Sequence, residues 1–466
     1  MERRDEHDIW AEGEFSHAQL GDLRRTHRLI QMAAGVARQP AGKVTTVFPA
    51  SAEREGAFRF LENDDVGAAA IAASSYAATL SRCAEYDTVF VAVDSTSVSL
   101  TDHANCKGLG RVGISAKPSQ GLYTMNALAV APDGTPLGLV DQHWWVRDKP
   151  KAPRPKTKKG RYRARFRDKE TRYWVDVLTD VDERFKQQPS GVRPWFQLDR
   201  GGDCWPVLAL AIERDLLLTV RSTHNRRLRD EAGKAAAYLW SRVEGQPLLG
   251  TYTVEVPARP GRPARRAQMA VRACQVTIEL RVSKKKCQYV DVYAVLARET
   301  SDAADRLEWK LLTTYPVTSL KEACAVVEGY AARWRVEDFH RAWKSGVCNV
   351  EDSQLRAADP FKKWATVLAA VAARAIRLAH IARHHPDQPA RNEFTQDEID
   401  AVLIFKKRTD YPRGSNPPVG RFVVWLAEIG GYTGKSSGGP PGPTTITRGL
   451  QRIECFAEGL KNMRQM

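Results

Sequence analysis

Two short apolar runs that each end on an aspartate restrict this chain more than any other feature. Thr88-Val-Phe-Val-Ala-Val93 leads into Asp94, and Trp195-Phe-Gln-Leu198 leads into Asp199. Runs this short, apolar and rich in β-branched residues fill central strands of a sheet. Tyr123 to Val130 and Leu137 to Val146 flank Pro132-Asp133-Gly134, which predicts a hairpin beside the first run. A further strand, Leu216 to Arg221, follows an intervening helix after Asp199. Sheet and helix therefore alternate, and the chain reads as α/β.

On either side of these strands the pattern changes. Residues from about 15 to 85 read as helical: Ser16 is placed to cap the first helix, Arg24, Arg25, His27 and Arg28 add positive charge, and an alanine-rich segment runs from Val66 to Leu80. Between about 225 and 310 the chain is β-rich, with candidate strands at Gly250 to Val256, Gln275 to Val282, Tyr289 to Leu296 and Trp309 to Thr313, and a basic loop at Arg259 to Arg266. Phe361 to Ile381 is alanine-rich and periodic enough for a buried helix. A breaker-rich linker at Gly434 to Pro443 precedes a last helix near Ile446 to Leu460. The expected division is 1–80, 81–360 with a β-rich insertion at about 225–310, and 361–466.

Charge narrows the partners. The 466 residues carry a net charge of +16, which favours a polyanion such as nucleic acid. Lys and Arg crowd the stretch 147–172, from Lys149 to Lys169, with no apolar periodicity, so an extended surface segment is expected there. No apolar run approaches the roughly 18 to 20 residues that span a bilayer, and the charged N-terminus leads into no signal-peptide core. The expectation is no membrane and a cytoplasmic location. Eight scattered cysteines form no Cys-x-x-Cys pair and read as reduced thiols. His380, His384 and His385 read as surface histidines with no further ligand nearby.

One more segment concentrates chemistry. From Tyr330 to Lys344 the chain reads as a helix on which Tyr330, Arg333, Glu337, His340 and Lys344 project within an arc of roughly 80°. Taken alone, this reads more readily as a solvated face with i,i+4 charge pairs. Beside Asp94 and Asp199 it supplies a third carboxylate, and two or three converging carboxylates are what Mg²⁺ or Mn²⁺ requires.

This order of Asp94, Asp199 and a helical Glu337 resembles the DDE transposases with a ribonuclease H-like fold. Within them it is similar to the transposon-five group of bacterial cut-and-paste elements, whose signature of Tyr, two residues, Arg, three residues, Glu, six residues and Lys is met by Tyr330, Arg333, Glu337 and Lys344. Leu20 to Leu29 and Glu55 to Asn63 look like the family's N-terminal DNA-binding domain, and His143 to Arg147 follows its pattern. Asp199-Arg-Gly-Gly-Asp203 resembles the second-aspartate motif, with Gly201-Gly202 where one family member has a Glu-Ala pair. That departure leaves Asp199 in place and puts the role of Asp203 in question.

The resemblance implies a ribonuclease H-like catalytic core with a β-rich insertion, a helical DNA-binding region before it and a helical dimerisation region after it. It implies Mg²⁺ (or Mn²⁺) held by Asp94, Asp199 and Glu337, and DNA contacts from Arg24, Arg25, Arg28, Arg221, Tyr330, Arg333, His340 and Lys344. Trp309 matches the tryptophan that stacks on a flipped base; without the resemblance it reads as a core aromatic. The implied partners are double-stranded DNA, both element terminal repeats and target, and a second copy of the chain in a synaptic dimer. The implied reaction is nicking at each element end, hairpin formation, hairpin hydrolysis and strand transfer. Two rivals share parts of the pattern: a catalytically silent DNA-binding relative and a stand-alone nuclease.

Overall fold

The computed structural model describes residues 6–100, 108–113, 119–147, 170–229, 235–256, 263–282, 287–301, 306–434 and 439–463. Helices α1 (Glu6–Phe15), α2 (Leu23–Arg38), α3 (Val44–Val47), α4 (Ser51–Glu62) and α5 (Ala68–Cys83) come first, then strands β1 (Thr88–Leu100), β2 (Gly110–Val112), β3 (Ser119–Val130) and β4 (Pro136–Trp145). Next are α6 (Arg172–Lys186), β5 (Arg193–Leu198), α7 (Trp205–Glu213), β6 (Leu217–Arg221), β7 (Arg227–Arg229), β8 (Ala235–Tyr238) and α8 (Leu239–Glu244). Strands β9 (Gly250–Val256), β10 (Arg265–Arg281), β11 (Cys287–Glu299) and β12 (Glu308–Thr313) precede α9 (Leu320–Ala332), α10 (Trp334–Lys344), α11 (Ala358–His384), α12 (Gln396–Phe405), α13 (Val419–Ile429) and α14 (Pro443–Met463). The fold is mixed α/β, with helices at both ends of the chain. It divides into two compact units, 86–94 with 152–334, and 1–85 with 95–151 and 335–466; β1 passes from one to the other.

In the unit of 86–94 and 152–334, β1, β5 and β6 lie side by side and parallel, and β12, β11 and β10 continue the sheet antiparallel. Helix α7 makes the crossover from β5 to β6 that parallel neighbours require. The first part of β1 and most of β5 are buried, as their composition predicts. Helix α9 comes very close to the sheet at Gly329, where a Cβ would stand 2.7 Å from the Phe90 ring and 2.9 Å from Gln197 Nε2. Only glycine fits there, and the approach fixes where the end of α9 points. In the insertion, β10 is longer than the sequence indicates: Arg265 and Arg266 already pair with Val256 and Glu255 instead of continuing a loop, while 257–262 lie outside the described residues.

The unit of 1–85, 95–151 and 335–466 is built around α11, much of it buried. Its Lys363 ammonium is buried and donates to the carbonyls of Leu61 and Asn63, both at 3.0 Å, which satisfies the end of α4. Trp364 donates to Gly42 O at 2.8 Å. Glu14 is also buried and pairs with Arg82 at 3.0 Å and with the Ser75 hydroxyl at 2.8 Å, fastening α1 to α5. Strands β3 and β4 form the expected hairpin. Further along, α13 and α14 touch backbone to backbone: a Cβ on Gly449 would overlap Leu426 O. Phe422, Leu426, Ile446 and Ile453 form their shared core.

Four sequence expectations are corrected. Helix α1 ends at Phe15, so Ser16 caps nothing; Asp22 caps α2 instead, accepting from Arg24 N at 2.8 Å. The stretch 330–344 is two helices with a break at Arg333. Asp94 lies inside β1, because the strand continues six residues beyond it. Finally, α11 is long and apolar enough to cross a bilayer by length and composition; 83% of that window is buried within the protein, and such burial is how a core helix satisfies its apolar surface. The basic tract from 148 to 169 and residues 435–438 of the linker lie outside the described residues.

Candidate active site

Three neighbouring strands place the first candidate residues in one row. Val93 of β1 pairs with Leu198 of β5, and Leu198 pairs with Val220 of β6, all parallel. The next residue on each strand is Asp94, Asp199 and Arg221. Adjacent strands lie about 4.8 Å apart, so two carboxylates and a guanidinium-bearing residue occupy consecutive places at the C-terminal edge of the parallel strands. That edge is where open α/β sheets carry their ligands.

The surroundings hold the two aspartates differently. Asp94 is mostly buried and pairs with Arg333, Nη1 to Oδ2 at 3.3 Å, from the end of α9. The Arg333 side chain is itself buried, which is why a solvated-face reading of this segment fails. Tyr330, one turn earlier on α9, is also buried. Asp199 accepts from Gly201 N at 2.7 Å and so caps the short turn that follows β5.

Asp203, four residues on, does other work. Its side chain is fully buried and accepts from Thr223 N at 2.6 Å and His224 N at 3.3 Å, and Arg226 grips it with two nitrogens at 2.5 and 3.1 Å. It anchors the chain leaving β6.

Arg221 ends β6, half-buried and opposite Leu311 of β12. Trp309 on β12 pairs with Ala297 and is half-buried, whereas Leu311 and Leu312 are the core residues of that strand.

Glu337, His340 and Lys344 stand on α10 in the other unit. Val336, Phe339, Ala342 and Trp343 form the buried face of this helix, with Trp343 Nε1 donating to Ala365 O at 3.1 Å. Glu337 is partly exposed. His340 is buried, with Nε2 2.9 Å from Asn126 Nδ2, and Asn126 Oδ1 accepts from Gln142 at 2.9 Å. Lys344 Nζ lies 3.4 Å from Thr96 Oγ1 and 3.5 Å from Glu351 Oε1. Glu351 is a partner that the sequence reading missed, and the same oxygen accepts from Ser99 N at 2.8 Å.

On α2, Arg24 is 91% exposed, while Arg25 is engaged with Asp65 at 2.5 Å and with Leu20 O at 3.0 Å. Arg28 lies against Gly56 of α4. The three histidines read as surface residues are not all so: His380 is buried, and Asp133 and His385 stand beside it.

Comparison with known families meets this architecture at both ends. Residues 7–66, which hold α2 and its arginines, match the transposase DNA-binding family, and residues 370–466, which hold the α13–α14 pair, match the transposase Tn5 dimerisation domain. These two matches, at opposite ends of one sequence, support a Tn5-like transposase.

Proposed function

We propose that the chain is a DDE transposase that binds the terminal repeats of its element as a homodimer, excises the element through nicked and hairpin intermediates, and joins it to target DNA. The observation that carries this reading is the register-matched row of Asp94 and Asp199 with Arg221 beside them and Arg333 paired to Asp94. Oxygen-only donors of this kind suit Mg²⁺, with Mn²⁺ as substitute. Asp94, Asp199 and, on the signature spacing, Glu337 are the residues that hold it. A bound divalent ion there supplies an activated oxygen nucleophile and charge neutralisation at the leaving oxygen.

The remaining roles are those that the family resemblance implies. Arg24, Arg25 and Arg28 engage phosphates of the terminal repeat from α2. Arg221, Arg333, Lys344, Tyr330 and His340 position the cleaved strand at the carboxylate edge, and Trp309 receives a base displaced from the stack. Backbone contacts of this kind fix register and orientation. Residues 81–360 form the ribonuclease H-like catalytic segment in this reading, and a DNA substrate places the protein at the nucleoid in the cytoplasm.

The test is cleavage of DNA carrying the element's terminal repeats, with Mg²⁺, by the wild type and by Asp94→Ala, Asp199→Ala and Glu337→Ala. Each variant is expected to bind the ends and to cut nothing. Cleavage near the wild-type rate removes the altered residue from the site, and wild-type protein that binds ends without cutting is a silent relative.

A further inference from the structure

At the tip of the β3–β4 hairpin and the C-terminal end of α11, three side chains meet that the reaction does not employ. Asp133 lies in the hairpin turn, His380 in the last turns of α11 and His385 just beyond its end. One donor atom from each lies within 4.8 Å of the others. His385 Nε2 stands 3.1 Å from Asp133 Oδ2. His380 is 6% exposed, and its Nε2 is buried with no hydrogen-bond partner. Buried polar atoms ordinarily have a partner, so an orphaned imidazole nitrogen facing a carboxylate and a second imidazole is a vacant donor position.

We propose that Asp133, His380 and His385 bind a divalent transition-metal ion, with Zn²⁺ the best fit, at a site separate from the carboxylates of strand transfer. Two imidazoles and one carboxylate are a common three-ligand set for zinc and leave a fourth position for water. Two nitrogen donors disfavour Mg²⁺, which takes oxygen. The supporting contacts already orient the set: Thr135 N donates to Asp133 Oδ1 at 2.8 Å, leaving Oδ2 for the site, and the His384 ring stacks on His380 with centroids 4.2 Å apart. A neutral imidazole is the form that ligates a metal. Arg335 brings positive charge near the site, but it is held by Gly134 O at 3.1 Å and offset by Asp338 at 3.2 Å. An ion here ties the hairpin turn to the end of the unit's central helix.

The experiment is calorimetric titration of the untagged full-length chain with ZnCl₂ in excess MgCl₂, for the wild type, Asp133→Asn and His385→Gln, with a melting curve for each protein with and without zinc. The two altered positions are partly exposed, so both variants are expected to fold, and the zinc-free melting curves verify it. The wild type is expected to bind one zinc per chain and to melt higher with it. Each variant should bind at least about tenfold more weakly, the lower end of what losing even a supporting contact costs, and lose the zinc-dependent rise. Cobalt in place of zinc should give a visible ligand-field band in the wild type alone. No saturable zinc binding by the wild type overturns the proposal, and so does binding of equal strength in both variants.

Discussion

Asp203→Ala separates a structural aspartate from one proposed to bind metal four residues away. The Asp203 carboxylate is fully buried, grips Arg226 through two nitrogens and accepts two backbone N–H groups at 2.6 and 3.3 Å. Removing it strands a nearly buried guanidinium and two donors; breaking a buried pair from one side costs about 3 to 5 kcal/mol. For a urea slope of roughly 2 to 3 kcal/mol per molar, the unfolding midpoint should fall by about 1 to 2.5 M. Asp199→Ala gives the contrast. Asp199 contributes one cap to Gly201 N, a loss of about 1 kcal/mol, yet its replacement should abolish cleavage. The assay is urea unfolding followed by circular dichroism, run beside cleavage of terminal-repeat DNA. An unchanged midpoint for Asp203→Ala refutes the reasoning, because the buried network then contributes nothing, and so does a larger fall for Asp199→Ala.

Three more outcomes are expected. His7 has its pKa held well below its ordinary 6.5 by burial, then by Arg374 and Arg38. Below pH 6.5 the unfolded chain takes up a proton that the folded chain refuses, so stability should fall as pH drops from 7 to 5; His7→Asn should flatten that slope, and an equal slope in thermal melts of both proteins rejects it. Trp309→Ala should spare the first nick and depress hairpin formation, with an abasic nucleotide at the displaced position restoring it in part; equal loss of both steps together with a lowered melting temperature would return Trp309 to a packing role. End binding should weaken steeply with salt, each neutralised phosphate contributing about 0.9 to the slope of log affinity against log salt, and deleting residues 149–172 should flatten that slope if the tract lies along DNA.

What could be read in advance divides along physical lines. Strands β1 and β5 were legible because short β-branched apolar runs have few alternatives, and α11 because its burial follows its periodicity. The length of β1 was not: its pattern turns polar at Asp94, and the strand continues because β3 pairs with its second half. The break at Arg333 was hidden because residues on both sides suit a helix equally well. For the candidate site, the signature spacing pointed to Asp94, Asp199 and Glu337, but the buried pair between Asp94 and Arg333 joins residues 239 apart in sequence, a separation no local pattern reports. The Asp133, His380 and His385 cluster was missed for the same reason. Spacing along α11 groups His380 with His384, whereas Asp133 comes from a hairpin turn.

The closeness of α9 to its sheet at Gly329 also bears on how copies of such a gene are judged. If the chain acts as proposed, a copy of its coding sequence could be judged competent from the acidic residues alone. A copy that keeps Asp94, Asp199 and Glu337 but has gained a side chain at Gly329 would pass that inspection. Its Cβ would meet Phe90 and Gln197, lift the helix, and withdraw Arg333 from Asp94. The chemistry would be intact on paper and unassembled in the molecule, so a glycine with no chemistry of its own belongs beside the carboxylates in any test of whether a copy can still move.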